Sequence, residues 1–520
     1  MVTEGKGILA VTETKQGTRR RPQLMLSGFA ALAESVWMGA PQASDVLEIL
    51  NLARSRWRPT RPRRPRLQLA GLLTRELSIA EASFVLMASF FFSALLGAVR
   101  QVLFNSQFGA GAEASAYYAA ARLPDALFSL IAGGALSSAM IPVLLSTRRD
   151  DGRAAAGRLA SRVLTVLLAA FAVLVVVGEI LTPDFVTRVL APGFDDNRSQ
   201  LTVALTRLML VQPVILAAGS VATAVLNSRN QFFLTALSVA SHNLGLIAGI
   251  CASIVHPALG IYGPALGVIA GALLQVLILL PGLFGSEFSF RLSWGLGDRR
   301  LGEVVRLLIP NGLAVGVGYT GFIVDTAFAS RTAEVAALAA LQNAFMLVGL
   351  PIALLGQAVG QSAFPRLAAH AAAAEWAQLR RTLLRALAAV VVLALPTALG
   401  LILLGRIAIH ILFEHGRFDP AAGSLTYGVL VVYAVGLPAY VATEVFTRGL
   451  ISLRDTRTPL LTNTVQLLGR VALMTLLLPA VGVLSIPAAF AATAAAETVA
   501  LGLILLLKLQ RRSSARLQPA

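Results

Sequence analysis

Apolar runs long enough to cross a lipid bilayer recur from residue 78 almost to the end of the chain. Crossing about 30 Å of hydrocarbon at 1.5 Å per residue takes roughly 20 residues of helix. Because lipid cannot hydrogen-bond an open backbone, each such run must be a helix. The twelve runs are approximately 78–100, 121–147, 159–182, 201–226, 231–255, 259–285, 303–328, 336–364, 382–412, 424–450, 458–479 and 482–508. The sequence therefore predicts an all-α polytopic membrane protein with about 12 transmembrane helices.

Composition supports this class and excludes several others. Charged residues occupy 13% of the 520 positions, about half of the roughly 25% found in soluble proteins. The single cysteine, Cys251, cannot form an internal disulfide or a thiolate metal cluster. No Walker A lysine loop or His-Glu-x-x-His spacing occurs, and the five histidines are scattered. We therefore expect no enzyme activity, no cofactor and no metal.

Positive charge is distributed unevenly among the connections between helices. The formal net charge is +17, and the basic residues concentrate in the N-terminal segment and in every second connection. These connections are 148–162, 291–300, 366–385, 454–457 and the tail 508–516. Since basic loops stay on the cytoplasmic side of a membrane, the pattern predicts an even number of helices with both termini cytoplasmic.

The first 77 residues differ from the rest of the chain. They contain no 18-residue apolar run, and residues 54–66 (RSRWRPTRPRRPR) carry seven arginines interrupted by proline. No secretory signal peptide is expected. We predict that 1–77 is a basic, disordered cytoplasmic extension that contacts anionic lipid headgroups, and nucleic acid is not an expected partner. A translation start downstream of Met1 is an alternative explanation of this segment.

The sequence contains an internal repeat with an offset of 223–225 positions. LIAGGALSSAMIP, ending at Pro142, matches ALLGQAVGQSAFP, ending at Pro365. Residues 193–195 (GFD) match residues 417–419 (RFD) at nearly the same offset. A constant offset at separated places indicates two related halves.

Six predicted helices separate equivalent positions of the repeat, so the two halves should have the same orientation in the membrane. Parallel repeats of this kind are typical of transporters whose two lobes move about a central site. We predict an N-terminal six-helix lobe over 78–285, a C-terminal six-helix lobe over 286–508 and a basic cytoplasmic tail over 509–520.

Charged residues within or beside apolar helices mark the candidate site. Arg100, Arg122 and Asp125 belong to the stretch that forms the first two predicted helices. A charge in hydrocarbon costs at least about 2.5–3.5 kcal/mol, so such residues usually line a polar cavity or an interface. We expect these three residues to form the wall of a polar path. Three other arginines, Arg306, Arg448 and Arg470, are expected to extend toward the nearby cytoplasmic helix ends.

Several motifs, in order and correctly spaced over about 78–508, resemble the MurJ/MviN family. They are GAVRQVLFNSQFGAG, ARLPDALFSLIAGGALSSAMIPVL, LFEHGRFD and GLPAYVATEVFTRGLISLRDTRTP. Members of this family are lipid II flippases of the MOP exporter superfamily. The resemblance implies two six-helix lobes around a cationic cavity in the bacterial cytoplasmic membrane. It also implies a polyprenyl-diphosphate-linked sugar as substrate, surrounding membrane lipids and cell-wall synthesis proteins as partners.

The resemblance assigns roles to individual residues. Arg100 and Arg122 correspond to basic residues of the family cavity, and with Asp125 they are the expected substrate-binding residues. Asp325 and Asp455 resemble carboxylates used for cation coupling. An alternative for Asp325 is an interfacial position at a helix end. An alternative for Asp455 is a loop carboxylate that caps the following helix and pairs with a neighbouring arginine.

The chain departs from the family pattern at several charged positions. Family charges correspond here to the uncharged residues Ala94, Ser115, Phe128 and Ser129. The family arginine of helix eight falls near Met346, and the amides of Gln342 and Asn343 lie one turn earlier. Two alternatives therefore stand beside a lipid II flippase. One is a MOP transporter of another lipid-linked oligosaccharide, and the other is a non-transporting scaffold for cell-wall enzymes.

Overall fold

The computed structural model describes residues 78–132, 135–283, 291–295 and 297–514. The predicted extension 1–77 and the end of the predicted tail lie outside this range. The elements that position the site are α-helices. They are α1 (Ile79–Phe108), α2 (Ala112–Ala132), α3 (Ala135–Asp150), α4 (Arg153–Phe185), α5 (Asp196–Met209), α6 (Val211–Asn227), α7 (Phe232–Ser238), α8 (Ser241–Val255), α9 (Tyr262–Leu283), α10 (Arg299–Ser330), α11 (Ala337–Pro351), α12 (Ala358–Ala372), α13 (Trp376–Leu412), α14 (Pro420–Ser452), α15 (Arg457–Val481) and α16 (Ser485–Ser514).

The prediction of an all-α polytopic membrane protein is confirmed. Within the described ranges, nine helical stretches are long and apolar enough to cross a membrane. One of them, Arg457–Arg512, contains two of the predicted spans. The described residues of the predicted spans 121–147 and 303–328 are also helical, but neither span is among the nine. The count of twelve, the cytoplasmic termini and the division into lobes at 285 stay predictions.

The described helices at the second predicted span extend beyond its bounds on both sides. Helix α2 begins at Ala112, well before residue 121, and α3 continues to Asp150. In the second half, a π-helical turn over Ile352–Gln357 separates α11 from α12. This turn overlaps the repeated motif that ends at Pro365. A π-turn widens the helix locally and frequently marks a functional segment.

The loops of the repeat begin their helices in the same way. The Asp195 carboxylate accepts a hydrogen bond from the Arg198 amide at 2.9 Å and caps α5. Its counterpart Asp419 accepts one from the Ala422 amide at 2.7 Å and caps α14. A carboxylate at the N-cap satisfies an otherwise unpaired amide, so both halves use the repeated Phe-Asp pair to start a helix.

These two loops also contact the opposite half of the chain reciprocally, and we call the two interactions the paired loop contacts. The Gly193 amide donates to Ser330 Oγ at 3.1 Å, and the Arg417 amide donates to the Ser106 carbonyl at 2.8 Å. Gly193 and Arg417 are 224 positions apart, and so are Ser106 and Ser330. The paired loop contacts join the helix ends remote from the arginine-rich connections. We call this end the opposite side and the arginine-rich end the basic side.

Close backbone packing positions α8 against α9. A Cβ atom added to Gly245 would lie 2.2 Å from the Gly271 amide nitrogen, and one added to Gly249 would lie 2.3 Å from the Gly263 carbonyl oxygen. Small residues let transmembrane helices approach closely where no hydrophobic force drives them together. This contact fixes the start of α8, from which His242 and Asn243 extend toward α1.

Asp455 lies on the basic side, between α14 and α15. Its carboxylate forms an ion pair with the Lys508 ammonium group and accepts hydrogen bonds from the Thr458 amide at 3.1 Å and the Thr458 hydroxyl at 2.6 Å. Burial raises the pKa of Asp455, but these donors outweigh burial and lower the pKa from 3.8 to about 2. The carboxylate therefore caps α15, as the alternative reading expected, and pairs with Lys508 rather than with a neighbouring arginine.

This depressed pKa predicts a pH-dependent contribution to stability. Because the unfolded-state pKa is about 3.9, the ionised pair stabilises the fold above that pH and loses its effect as the pH falls toward about 2. Asp455→Asn keeps a capping oxygen and removes the charge, and it should cost about 1 kcal/mol near neutral pH after solvent screening. We expect a constant deficit in melting temperature between about pH 7 and about pH 5 that shrinks below about pH 4. A deficit unchanged at about pH 3 would contradict this assignment.

Candidate functional site

A polar cavity of about 100 Å³ lies among α1, α2, α5, α6, α8, α9 and α11. Arg100 of α1 and Arg122 and Asp125 of α2 all line it. The structure thus places the three expected substrate-binding residues on one wall. Two guanidinium groups against one carboxylate leave this group of three side chains with a net positive charge. Such a surface favours an anionic ligand.

Arg100 is held by a short chain of polar contacts between α1 and α8. Its Nη1 donates to Asn243 Oδ1 at 3.2 Å, and Asn243 Nδ2 donates to the Ser93 carbonyl at 2.9 Å. One end of the guanidinium is therefore fixed, which orients its other donors toward the cavity.

Arg122 is held from the second half of the chain. Its Nε donates to Thr326 Oγ1 and its Nη2 to Gln342 Oε1, each at 3.1 Å. The guanidinium carbon also lies 5.5 Å from the centre of the Phe322 ring, within range of a cation–π contact. Arg122 is thus a positively charged link from α2 to α10 and α11. Gln342 is one of the two amides near the place of the missing family arginine.

Asp125 makes a separate contact to the second half. Its Oδ2 accepts a hydrogen bond from the Tyr319 hydroxyl at 3.3 Å. Proline at position 124 removes one backbone donor between Arg122 and Asp125, within α2. The carboxylate balances part of the positive charge that the two arginines bring to the cavity.

An uncharged amide cluster closes the cavity toward the opposite side. Gln101 Nε2 donates to Tyr118 Oη at 2.7 Å and to Asn343 Oδ1 at 2.8 Å, and Asn105 Nδ2 donates to the same Asn343 oxygen at 3.0 Å. Gln101, Asn105 and Asn343 are almost fully buried. Beyond them, Ser115 Oγ donates to the Val335 carbonyl at 2.6 Å. Ser115, one of the positions that lack a family charge, thus joins the two halves.

Two further cavity residues were not singled out as site residues by the sequence analysis. Gln212 of α6 is 1% exposed and lines the cavity, and its Oε1 has no hydrogen-bond partner among the described residues. His242 of α8 also lines the cavity. A buried amide oxygen without a partner loses its hydration without compensation. An incoming ligand that donates a hydrogen bond to Gln212 Oε1 would supply the missing partner. The signal in the sequence is a glutamine two residues into a strongly apolar helix.

Asp325 lies next to this cavity but is already paired. It lines a smaller void of about 20 Å³ that also includes Arg122, Gln342 and Tyr433. Its Oδ2 forms an ion pair with Arg470 Nη2 of α15, and both side chains are nearly buried. The expectation that Arg470 extends toward the cytoplasmic helix end is therefore wrong, because the side chain turns inward to α10. Asp455 lies away from both cavities, on the basic side.

The cavity is small for the ligands that its charges suit. Pockets that hold small molecules usually enclose roughly 300–1,000 Å³, so the site is contracted in this conformation and must widen to admit a large headgroup. Arginine forks match phosphate oxygens in geometry and charge. The arrangement can bind a phosphorylated headgroup between two halves of a membrane protein.

The helices are arranged in the fold of solved transporters of the MOP superfamily. The structure superposes on an inward-facing MATE-family transporter of that superfamily with a TM-score of 0.72, over 81% of this chain and 96% of the transporter, at 12% identity. It also superposes on the lipid II flippase MurJ in an inward closed conformation, with a TM-score of 0.70 over 83% and 90% of the two chains, at 22% identity. At these identities the likeness establishes the fold.

Sequence comparison establishes the family. The profile of the lipid II flippase MurJ family matches residues 104–517. The lipid II flippase MurJ of Burkholderia cenocepacia is 31% identical over 375 residues, which cover 71% of this chain and 72% of that protein. The probable lipid II flippase MurJ of Rhizobium tropici is 28% identical over 392 residues, covering 74% and 73%. The chain belongs to the lipid II flippase MurJ family and is a multi-pass membrane transporter.

Proposed function

We propose that this protein moves lipid II, the undecaprenyl-diphosphate-linked peptidoglycan precursor, across the bacterial cytoplasmic membrane. Membership in the family and the joint placement of Arg100 and Arg122 on one cavity wall support this function. The diphosphate would lie between the two guanidinium groups, and the sugar would face the neutral wall of Gln212 and His242. The protein acts as a transporter rather than an enzyme.

The route follows from the contacts between the halves. In the described conformation, the paired loop contacts and the amide cluster join the halves at the opposite side. We propose that the basic side faces the cytoplasm, that lipid II enters there, and that breaking these contacts releases it outward. The division into an N-terminal lobe over 78–285 and a C-terminal lobe over 286–508 is part of this proposal. Cell-wall synthesis proteins would receive the product.

A translocation assay tests this function. The purified full-length protein is reconstituted in vesicles with fluorescent lipid II, and the fraction of label that reaches the other leaflet is measured with time. We expect protein-dependent translocation that unlabelled lipid II inhibits by competition. Translocation of a different diphospholipid, with none of lipid II, would instead favour another lipid-linked oligosaccharide. Absence of binding by a folded protein would favour the scaffold.

Gln212 gives a specific prediction for substrate binding. Gln212→Ala should lower the affinity for lipid II by about 3- to 10-fold, the equivalent of one neutral hydrogen bond, and leave the affinity for undecaprenyl diphosphate unchanged. Removing a buried oxygen that has no partner should not lower the melting temperature by the amount usual for a buried glutamine. Both affinities are measured by titration of the detergent-solubilised protein. Equal losses for the two lipids would show that Gln212 does not contact the sugar portion.

A further inference from the structure

The environment of Asp325 differs from that of a carboxylate prepared for a mobile cation. A bare alkali cation is held by several oxygen atoms that replace its water of hydration. Here Asp325 Oδ2 already receives Arg470, and the neighbouring Thr326 hydroxyl donates to the Phe322 carbonyl at 2.8 Å and accepts from Arg122. No group of three or more acidic, histidine or cysteine side chains suited to an ion occurs in the part of the chain that the structure describes.

The surroundings of Arg470 fit its guanidinium group. Gly321, one turn before Asp325 on α10, leaves the space, since a Cβ there would lie 3.2 Å from Arg470 Nη1. The guanidinium carbon lies 4.3 Å from the centre of the Phe490 ring of α16. The Arg470 side chain is 8% exposed, and that of Asp325 is 12% exposed. Helices α10, α15 and α16 therefore enclose a site for a positive charge, and a side chain of the protein itself fills this site.

The pair is not optimised for stability. Asp325 Oδ1 and Arg470 Nε are both buried without a hydrogen-bond partner in the described ranges. A buried ion pair with unsatisfied atoms seldom repays the cost of removing two charges from water. We therefore assign the role of the pair to the positive charge that Arg470 places beside Asp325, and not to a gain in stability. The guanidinium of Arg122, which lines the small void beside Asp325, adds further repulsion for any free cation that approaches.

We propose that Arg470 is the permanent counter-ion of Asp325 and occupies the place that a coupling cation would need. Sodium does not bind at Asp325 in this protein, and the carboxylate does not couple transport to a sodium gradient. The internal repeat places Asp325 at the position equivalent to Gln101, 224 residues earlier. The two halves thus present a charged pair and a neutral amide at matching places.

Sodium binding to the purified full-length protein tests the proposal. Melting temperature is measured in sodium chloride and in choline chloride at equal ionic strength and one fixed pH. We expect no difference for the wild type and for Arg470→Lys, which keeps the positive charge. Arg470→Gln should expose the carboxylate and be stabilised by sodium by at least about 2 °C, and Asp325→Asn combined with Arg470→Gln should not be.

Two results would overturn the proposal. One is a sodium-specific stabilisation of the wild type that Asp325→Asn removes, and this result is readable even if the Arg470 variants fail to fold. The other is a folded Arg470→Gln protein that sodium does not stabilise. The transport measurement, equal lipid II translocation in sodium and in choline, rests on the proposed function. A wild type without translocation would contradict that function and leave the binding result intact.

Discussion

Arg122→Ala is expected to weaken lipid II binding by at least about 30-fold and to abolish growth of a strain that depends on this protein as its flippase. The guanidinium is partly buried, lines the polar cavity and is fixed by Thr326 and Gln342. Removing one partner of a desolvated charge pair costs roughly 2–5 kcal/mol, and each 1.4 kcal/mol is tenfold in affinity. Binding is measured by titration, and flipping is measured in reconstituted vesicles.

Two controls separate binding from folding in this experiment. Arg306 is an exposed arginine on α10, the helix that Arg122 contacts, so Arg306→Ala should change affinity by less than about threefold. Arg122→Lys keeps the charge without the planar fork and should fall between the wild type and the alanine variant. Wild-type growth and binding with both Arg100 and Arg122 replaced by alanine would refute the site.

Gly193→Ala is expected to disrupt closure at the opposite side. A Cβ atom at this position would lie 2.2 Å from the Ser330 carbonyl oxygen and 2.6 Å from its carbon. Because the atoms in the way belong to the backbone of Ser330, the loop that contains Gly193 must move away from Ser330. Overpacking of this kind costs roughly 1–3 kcal/mol, which would raise the open population about tenfold or more.

The change is measured by thiol labelling from the opposite side. The reporter is Ala337→Cys, at a position that is 1% exposed, in a Cys251→Ser background because Cys251 is exposed. Labelling should be about tenfold faster with Gly193→Ala. Gly111→Ala is the matched control, since its added Cβ meets nothing within 4 Å. Equal labelling rates in the Gly193→Ala and wild-type backgrounds would show that the loop contact does not control access.

The fold and part of the candidate site could be predicted because burial of charge and length of helix are strongly constrained in lipid. Apolar runs fixed the helical class, and the cost of charge in hydrocarbon singled out Arg100, Arg122 and Asp125. The repeat also anticipated equivalent loops, which the structure shows as matching N-caps at Asp195 and Asp419. These are signals that local sequence carries.

The remaining parts of the site depend on which helices meet, and a single sequence does not encode this in a local pattern. Arg470 lies near a predicted helix end, from which its side chain can reach water, yet tertiary packing directs it onto Asp325. Gln212 is an isolated amide in an apolar segment, and only the cavity around it gives the residue a role.

The paired loop contacts account for one part of the free energy of opening at the opposite side. Each is one backbone-donated hydrogen bond, worth about 0.5–1.5 kcal/mol net, so breaking both costs about 1–3 kcal/mol. One elementary charge gains about 2.3 kcal/mol in crossing a potential of 100 mV. Moving a single arginine across a membrane potential of this size would therefore release about the free energy needed to break both contacts, without nucleotide hydrolysis. The internal repeat provides both contacts, because the equivalent loops of the two halves each donate one of these hydrogen bonds.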